Sequence, residues 1–262
     1  MDNIIFNGVD SRDIGCKINR VNPFAAPAPR VQEYIVPGRN GIVVVDNDTY
    51  DQLQLDYTLA LYNCQRGDSS SADAVRAWLL RDGKYHRLED SRWPDYFRLA
   101  RIASVEIEQI GSGRRSIEAA VSFSCRPERF LKSGDVPLVM SLAGTGATSI
   151  TIKNPSTHTA YPLIRVPSSS QGIAIRVSQS TWFGYAEYAI ASHEGEIEID
   201  TDTGNAVFIS GPGSGLPANG FMTLTLNGPD DFELRDGLSQ IYVSVETPES
   251  AAVKVYPRWW TI

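Results

Sequence analysis

The chain has 262 residues, enough for one large β domain or two of ordinary size, and its 42% hydrophobic and 21% charged residues exclude a disordered chain. Its net charge of −7 falls entirely in residues 134–262, with 6 basic and 13 acidic residues, whereas residues 1–133 hold 18 of each. Neither half has the basic stripe that tight phosphate-backbone binding needs, and no run approaches the ~18 apolar residues of a membrane span, so neither stable nucleic-acid binding nor a membrane partner is expected.

The first 20 residues carry charges and no signal-peptide run, which points to a cytoplasm-like compartment. Cys16, Cys64 and Cys125 are odd in number and widely spaced, which excludes a zinc ribbon and argues against a disulfide framework.

In chain order, residues 31–36 and 42–45 read as a hairpin around Pro37, Gly38, Arg39, Asn40 and Gly41, with Asn40-Gly41 expected to supply positive φ angles. Ile42, Val43, Val44 and Val45 make an unbroken apolar run, more than one buried face requires. In residues 52–61, Leu53, Leu55, Tyr57, Leu59 and Leu61 alternate with Gln52, Gln54, Asp56, Thr58 and Ala60, the period of a half-buried antiparallel strand. The spacing then predicts one helix, capped by Ser70 with Asp73 as its capping-box partner. Val75, Trp78 and Leu79 form its apolar stripe and Asp82-Gly83 its end.

Residues 96–110 pair naturally with 115–125 through Gly111, Ser112, Gly113 and Arg114, a long hairpin of roughly 35 Å. Ile117, Ala119, Val121, Phe123 and Cys125 share one face of it, so Cys125 reads as a buried thiol. Residues 126–137 read as a connecting segment, and the change of composition near residue 133 as a domain boundary. Beyond it come about nine short strands, at 149–152, 161–166, 173–178, 196–200, 206–209, 221–226, 232–234, 240–246 and 253–259, separated by turn residues. The fold class is therefore all-β with one short helix. Residues 1–133 form a β-sandwich-like domain and residues 134–262 a β-sandwich of jelly-roll type.

Catalytic patterns are weak. His86, His158 and His193 lie outside any HExxH motif and read as surface histidines. Glu194, Glu196, Glu198, Asp200 and Asp202 could line one strand face, as a calcium or glycosidase site would need. The interleaved Ile197 and Ile199 instead suggest a wet face opposite a core face. Residues 200–205 resemble half of a calcium loop, but Gly204 stands at a ligand position and a hairpin turn fits as well. Residues 144–148 lack the lysine of a phosphate loop, and Pro212 breaks the strand a nucleophile elbow would need.

Trp182, Tyr185, Tyr188, Trp259 and Trp260 could stack on sugar rings. Otherwise Trp182 plugs the sandwich, and one of Trp259 and Trp260 points inward while the other faces outward or meets another subunit. No cofactor, metal site or catalytic residue is expected, and the chain reads as a non-enzyme. A carbohydrate-binding module and a carboxylate-dependent hydrolase centred on 194–202 are the rival classes.

The order of motifs carries a resemblance. Phe6-Asn7-Gly8-Val9 with Ser11 is followed by Val36-Pro37-Gly38-Arg39-Asn40-Gly41, Trp78-Leu79, Leu88-Glu89-Asp90 and Pro94-Asp95-Tyr96, and the half closes on Val121-Ser122-Phe123-Ser124-Cys125-Arg126-Pro127. This series resembles the N-terminal domain of the distal tail proteins of siphophages, the long-tailed phages with non-contractile tails. More loosely, Asn154-Pro155-Ser156-Thr157, Tyr161-Pro162-Leu163-Ile164, Ile197-Glu198-Ile199-Asp200 and Pro257-Arg258-Trp259-Trp260 resemble that family's galectin-like sandwich.

The resemblance implies a homo-hexameric ring at the end of the tail tube, an adaptor between the tail tube protein and the tail hub or tip protein. Its 1–133 domains would make the ring and a lumen that lets DNA pass, and its 134–262 sandwiches would project outward to hold receptor-binding proteins. The protein would end in the virion, at the tail tip or baseplate, after assembly in the host cytoplasm. Ring-interface candidates are Gly38, Arg39, Asn40, Gly41, Ile42 and Val44 in the first hairpin and Gly111, Ser112, Gly113 and Arg114 in the long one, since a closed ring needs two different patches per subunit.

Overall fold

A computed structural model describes residues 2–21, 25–62, 69–110, 116–142, 146–179, 184–227, 231–245 and 251–262. The chain divides into two compact units, Met1–Arg129 with Ile262 and Phe130–Thr261. Strand structure dominates both, and among the described residues there is one α-helix.

The first unit contains β1 (Ile4–Phe6), β2 (Val9–Asp10), β3 (Lys17–Val21), β4 (Pro29–Ile35), β5 (Ile42–Tyr50), β6 (Leu53–Leu61), α1 (Ser70–Leu79), β7 (His86–Asp90), β8 (Tyr96–Ile110) and most of β9 (Ser116–Leu131). Seven of these strands follow one hydrogen-bonded path, β2-β1-β7-β8-β9-β6-β3. The alternation seen in the sequence sets the register of β6 on β9, from Leu53 opposite Cys125 to Leu61 opposite Ile117. Directly opposed residues share a face, so Leu53, Leu55, Tyr57, Leu59 and Leu61 join Ile117, Ala119, Val121, Phe123 and Cys125 in one buried layer.

The path then turns back over that layer. Phe6 of β1 meets Phe123 of β9 edge-on at 5.1 Å between ring centroids, and the Trp78 indole of α1 donates to the Phe6 carbonyl at 3.1 Å. A single continuous sheet thus supplies both layers of a sandwich-like core. Each fully buried Leu, Ile or Phe contributes roughly 1.5–3 kcal/mol.

The helix departs from its predicted ends. Ser69 already has helical backbone angles, φ −80° and ψ −17°, so Ser69 and not Ser70 is the flanking residue, and it makes no side-chain cap bond. The Asp73 carboxylate accepts from Arg76 at 2.8 Å instead of closing a capping box. The helix stops at Leu79. Asp82 accepts from the Lys84 N–H at 2.9 Å and pairs with His86 at 2.7 Å, which commits it to the turn beyond.

The second unit contains β10 (Leu138–Ser141), β11 (Ala147–Asn154), β12 (Leu163–Val166), β13 (Ile173–Gln179), β14 (Tyr185–Ile190), β15 (Ile197–Asp200), β16 (Asn205–Phe208), β17 (Met222–Asn227), β18 (Gly237–Val245), β19 (Ala252–Tyr256) and β20 (Trp260–Thr261). All but β20, which pairs with β9, form two five-stranded sheets, β10-β19-β12-β15-β16 and β11-β18-β13-β14-β17. Ile164, Ile197, Ile199, Val253 and Val255 of one sheet and Ile173, Ile175, Val177, Ile241 and Val243 of the other belong to one core, each 0–1% exposed. This is a β-sandwich.

Three expected elements differ. Residues 232–234 make a single bridge, Leu234 with Ala160, in place of a strand. Residues 253–259 break after Tyr256, where Pro257 lacks a donor and Arg258 takes φ 56°. The segment 126–137 is no loop, since β9 continues to Leu131 and a 3-10 turn spans Lys132–Asp135. Gly134 in that turn is buried, and a Cβ there would lie 2.5 Å from the Trp259 nitrogen, closer than backbone allows.

Candidate interaction surfaces

Strands β4 and β5 pair only with each other among the described residues, as a two-stranded sheet outside the main path. Their turn is built on Pro37, with Arg39 N–H donating to the Val36 carbonyl at 3.1 Å and Gly38 at φ 82°. That is the Pro-Gly arrangement a tight turn with positive φ at its third residue demands. Positive φ falls on Gly38 and Gly41 and not, as expected, on Asn40, because the Pro-Gly pair makes the turn and leaves Gly41 just before β5.

The register places Ile35 opposite Ile42, Glu33 opposite Val44 and Val31 opposite Asp46 on one face, with Tyr34 opposite Val43 and Gln32 opposite Val45 on the other. Both faces therefore carry apolar side chains. All of β4 is exposed, with Ile35 83%, Val44 56%, Ile42 54% and Tyr34 50% accessible, and among the described residues no ribbon side chain belongs to the core of either unit. At the base, Arg30 donates from Nε and Nη2 to Asp51 at 3.0 Å. An isolated two-stranded ribbon is marginal in water, and contiguous exposed apolar surface of this kind marks an interaction site.

The long hairpin forms a different surface. Strand β8 pairs with β7 only through Arg98, Leu99 and Ala100, so residues 101–110 have β9 on one side and, among the described residues, no strand on the other. Ile102, Val105 and Ile107 pack against the core, while Glu106 and Glu108 are exposed. Charged residues on an open edge guard it against indiscriminate pairing. The candidates Gly111, Ser112, Gly113 and Arg114 lie outside the described residues, as does Cys64.

The acidic run is absorbed by the sandwich. Ile197 and Ile199 are fully buried, Glu198 accepts from Arg165 at 2.8 Å and Asp200 from Arg258 at 2.6 Å. Residues 201–204 make the turn between β15 and β16, with Gly204 at φ 66°. Two histidines are half-buried, His86 on Asp82 and His158 stacked on Trp260 at 4.4 Å. His193 is not on the surface. It is 7% exposed, with Nδ1 donating to the Ala191 carbonyl at 2.9 Å, because its backbone is tied to Ser169 in a bridge that turns the ring inward.

Burial pushes the Cys125 thiol up to about 12. Trp259 is in the core, and Trp260 lies against His158 with its indole donating to the Thr159 carbonyl at 2.8 Å. Tyr188 is buried and Tyr185 is covered by Arg176 at 4.1 Å, while Trp182 lies outside the described residues. A groove that the sequence did not announce runs over the second unit, about 560 Å³, floored by Ala174, Ala189, Thr223 and Ser244. Small residues paired across four strands carry no motif, so only register could reveal it.

No family model and no curated protein sequence matches the chain. Solved structures do, from end to end, and the fold is that of phage tail hub and baseplate proteins. The Dit protein of phage SPP1, described as a paradigm of the hub adsorption apparatus of phages that infect Gram-positive bacteria, is similar at TM-score 0.64 and 14% identity, with 100% of both chains covered. A chain of the phage p2 baseplate in its activated conformation with Sr is similar at TM-score 0.59 and 9% identity, and one from the form with Ca at 0.56 and 10%, each with 97% of both chains covered.

Proposed function

We propose that the chain is a non-enzymatic adaptor of a long non-contractile phage tail, six copies of which close a ring between the tail tube and the tail tip or baseplate. The observation that carries this reading is the likeness to SPP1 Dit over the whole of both chains. The β4–β5 ribbon supports it, because among the described residues it carries exposed apolar side chains on both faces. A closed ring needs two unlike patches per subunit. The ribbon, from Gly38 to Val44, is one, and the β8 edge with residues 111–114 is the other. Residues 1–133 build the ring and its DNA passage, and residues 134–262 face outward toward receptor-binding proteins. Tail tube and hub proteins cover the two ring faces, in the virion after assembly in the host cytoplasm. Low electrostatic affinity suits a conduit, since every retained phosphate contact would slow passing DNA.

Native mass spectrometry of the full chain, over a range of concentrations, tests this reading beside the double variant Ile35→Asp, Val44→Asp. Hexamers in the parent and monomers in the variant are expected, with the same circular dichroism spectrum in both. A variant that still forms hexamers removes the ribbon from the interface. A parent that stays monomeric at high concentration and with added tail tube protein overturns the ring.

A further inference from the structure

A cavity of about 50 Å³ lies inside the first unit, away from the ribbon, and Tyr57, Asp90, Trp93, Tyr96, Arg98 and Arg129 line it. Its charge is unevenly satisfied. The carboxylate on its wall is fully engaged: Asp90 accepts from Arg92 at 2.7, 3.0 and 3.1 Å and from the Tyr57 hydroxyl at 3.3 Å. The two guanidiniums are not. Arg98 donates from Nη1 to the Pro127 carbonyl at 2.7 Å, and burial pushes its pKa below the ordinary value, with the positive charge of Arg129 acting in the same direction and Glu128 against it. Arg129 lies over the Tyr96 ring at 4.3 Å and near Trp93 at 5.9 Å, and its Nε is buried without a hydrogen-bond partner.

A guanidinium held against an aromatic ring still has N–H groups free to fork a planar oxyanion. A buried donor left unpaired is costly, so a ligand that satisfies Nε removes a penalty as well as adding a bond. Shape narrows the ligand further: one guanidinium fork matches the two coplanar oxygens of a carboxylate, and a cavity of about 50 Å³ leaves little room for the additional oxygens of a phosphate.

We propose that this cavity is a carboxylate-binding site, with Arg129 donating to the carboxylate oxygens against the Tyr96 ring and Arg98 supplying the second positive charge. The carboxylate comes from a free organic acid or from an Asp or Glu side chain of a neighbouring protein. The site shares no residue with the ribbon, so this proposal and the tail reading fail independently.

Isothermal titration of the full chain at constant ionic strength decides it, with acetate, tetraglutamate and inorganic phosphate as probes. One saturable site per chain is expected for the carboxylates, tighter than for phosphate and weakened about tenfold by Arg129→Gln, the loss of one charge-assisted bond. Arg129→Lys, which keeps the charge without the fork, should fall between. Equal affinity for acetate and tetraglutamate assigns a free acid; tighter tetraglutamate assigns a protein side chain. Absence of saturable binding by both carboxylates, unchanged affinity in a folded Arg129→Gln, or phosphate binding as tightly as carboxylate overturns the site. If Arg129→Gln fails to fold, the Arg129→Lys comparison and the parent's preference among probes still discriminate.

Discussion

The hairpin β13–β14 and the ribbon β4–β5 are both antiparallel strand pairs rich in apolar residues, yet they meet solvent in opposite ways. In the first, Ile173, Ile175 and Val177 with Ala186, Tyr188 and Ile190 are 0–5% exposed. The other face carries Arg176 and Glu187, joined at 2.7 Å. In the second, Ile35 is 83% and Val44 56% exposed, and apolar residues stand on both faces. A strand that packs inside its own chain needs one apolar face. A ribbon that is apolar on both keeps exposed apolar surface that a partner could cover.

Four measurements break or sharpen that comparison. The largest effect is expected from Phe123→Ala, which empties a fully buried site between Phe6 and Tyr57 and should cost about 3–5 kcal/mol in denaturant unfolding. Next is Gly134→Ala, whose added Cβ meets the Trp259 nitrogen and forces a shift costing about 1–3 kcal/mol, read from the same unfolding curves.

Burial raises the Cys125 thiol from 9.0 to about 12, so the folded chain holds this proton more tightly than the unfolded one. The stability this thiol contributes is constant below pH 9 and falls as pH rises from 9 toward 12. Iodoacetamide at pH 8, followed by mass spectrometry, should leave Cys125 unmodified until urea unfolds the chain. Rapid labelling of native protein would show the β6–β9 layer to be open. The smallest effect is expected from Ile35→Ser, which should change monomer stability by no more than about 0.5 kcal/mol despite removing a large apolar side chain. A loss comparable to that of Phe123→Ala would mean that the ribbon packs within its own chain.

Strands with strict alternation were legible. The spacing gave 96–110 as a strand, and β8 spans Tyr96–Ile110; the face Leu53 to Leu61 is buried as its period requires. Strand β14 was missed because Tyr185 and Ala189 on its outer face and Ala186 and Tyr188 on its inner face blur the contrast that alternation needs. Strand β10 was missed because it has four residues and two of them are exposed. The cap residue, the positive φ at Gly38 and the burial of His193 depend on backbone angles and bridges that residue types bias without deciding. Within the candidate interaction surface, Ile42 and Val44 were readable as surplus apolar residues, whereas Tyr34 and Ile35 needed the register to join them.

The sequence by itself determined which residues could share a face, because side-chain direction in a strand follows from a period of two and needs no knowledge of neighbours. That was enough for the all-β class, for the buried layer of β6 and β9, and for reading Glu198 and Asp200 as the wet side of a core strand. Only tertiary structure decided which apolar faces found a partner. It folded one sheet over itself, so that Phe6 meets Phe123, while leaving Ile35 and Val44 uncovered. It also brought Arg98 and Arg129, which sit 31 positions apart, to one aromatic cavity around Tyr96. Contacts of that kind depend on how strands from distant parts of the chain are paired, and local pattern carries no record of the pairing.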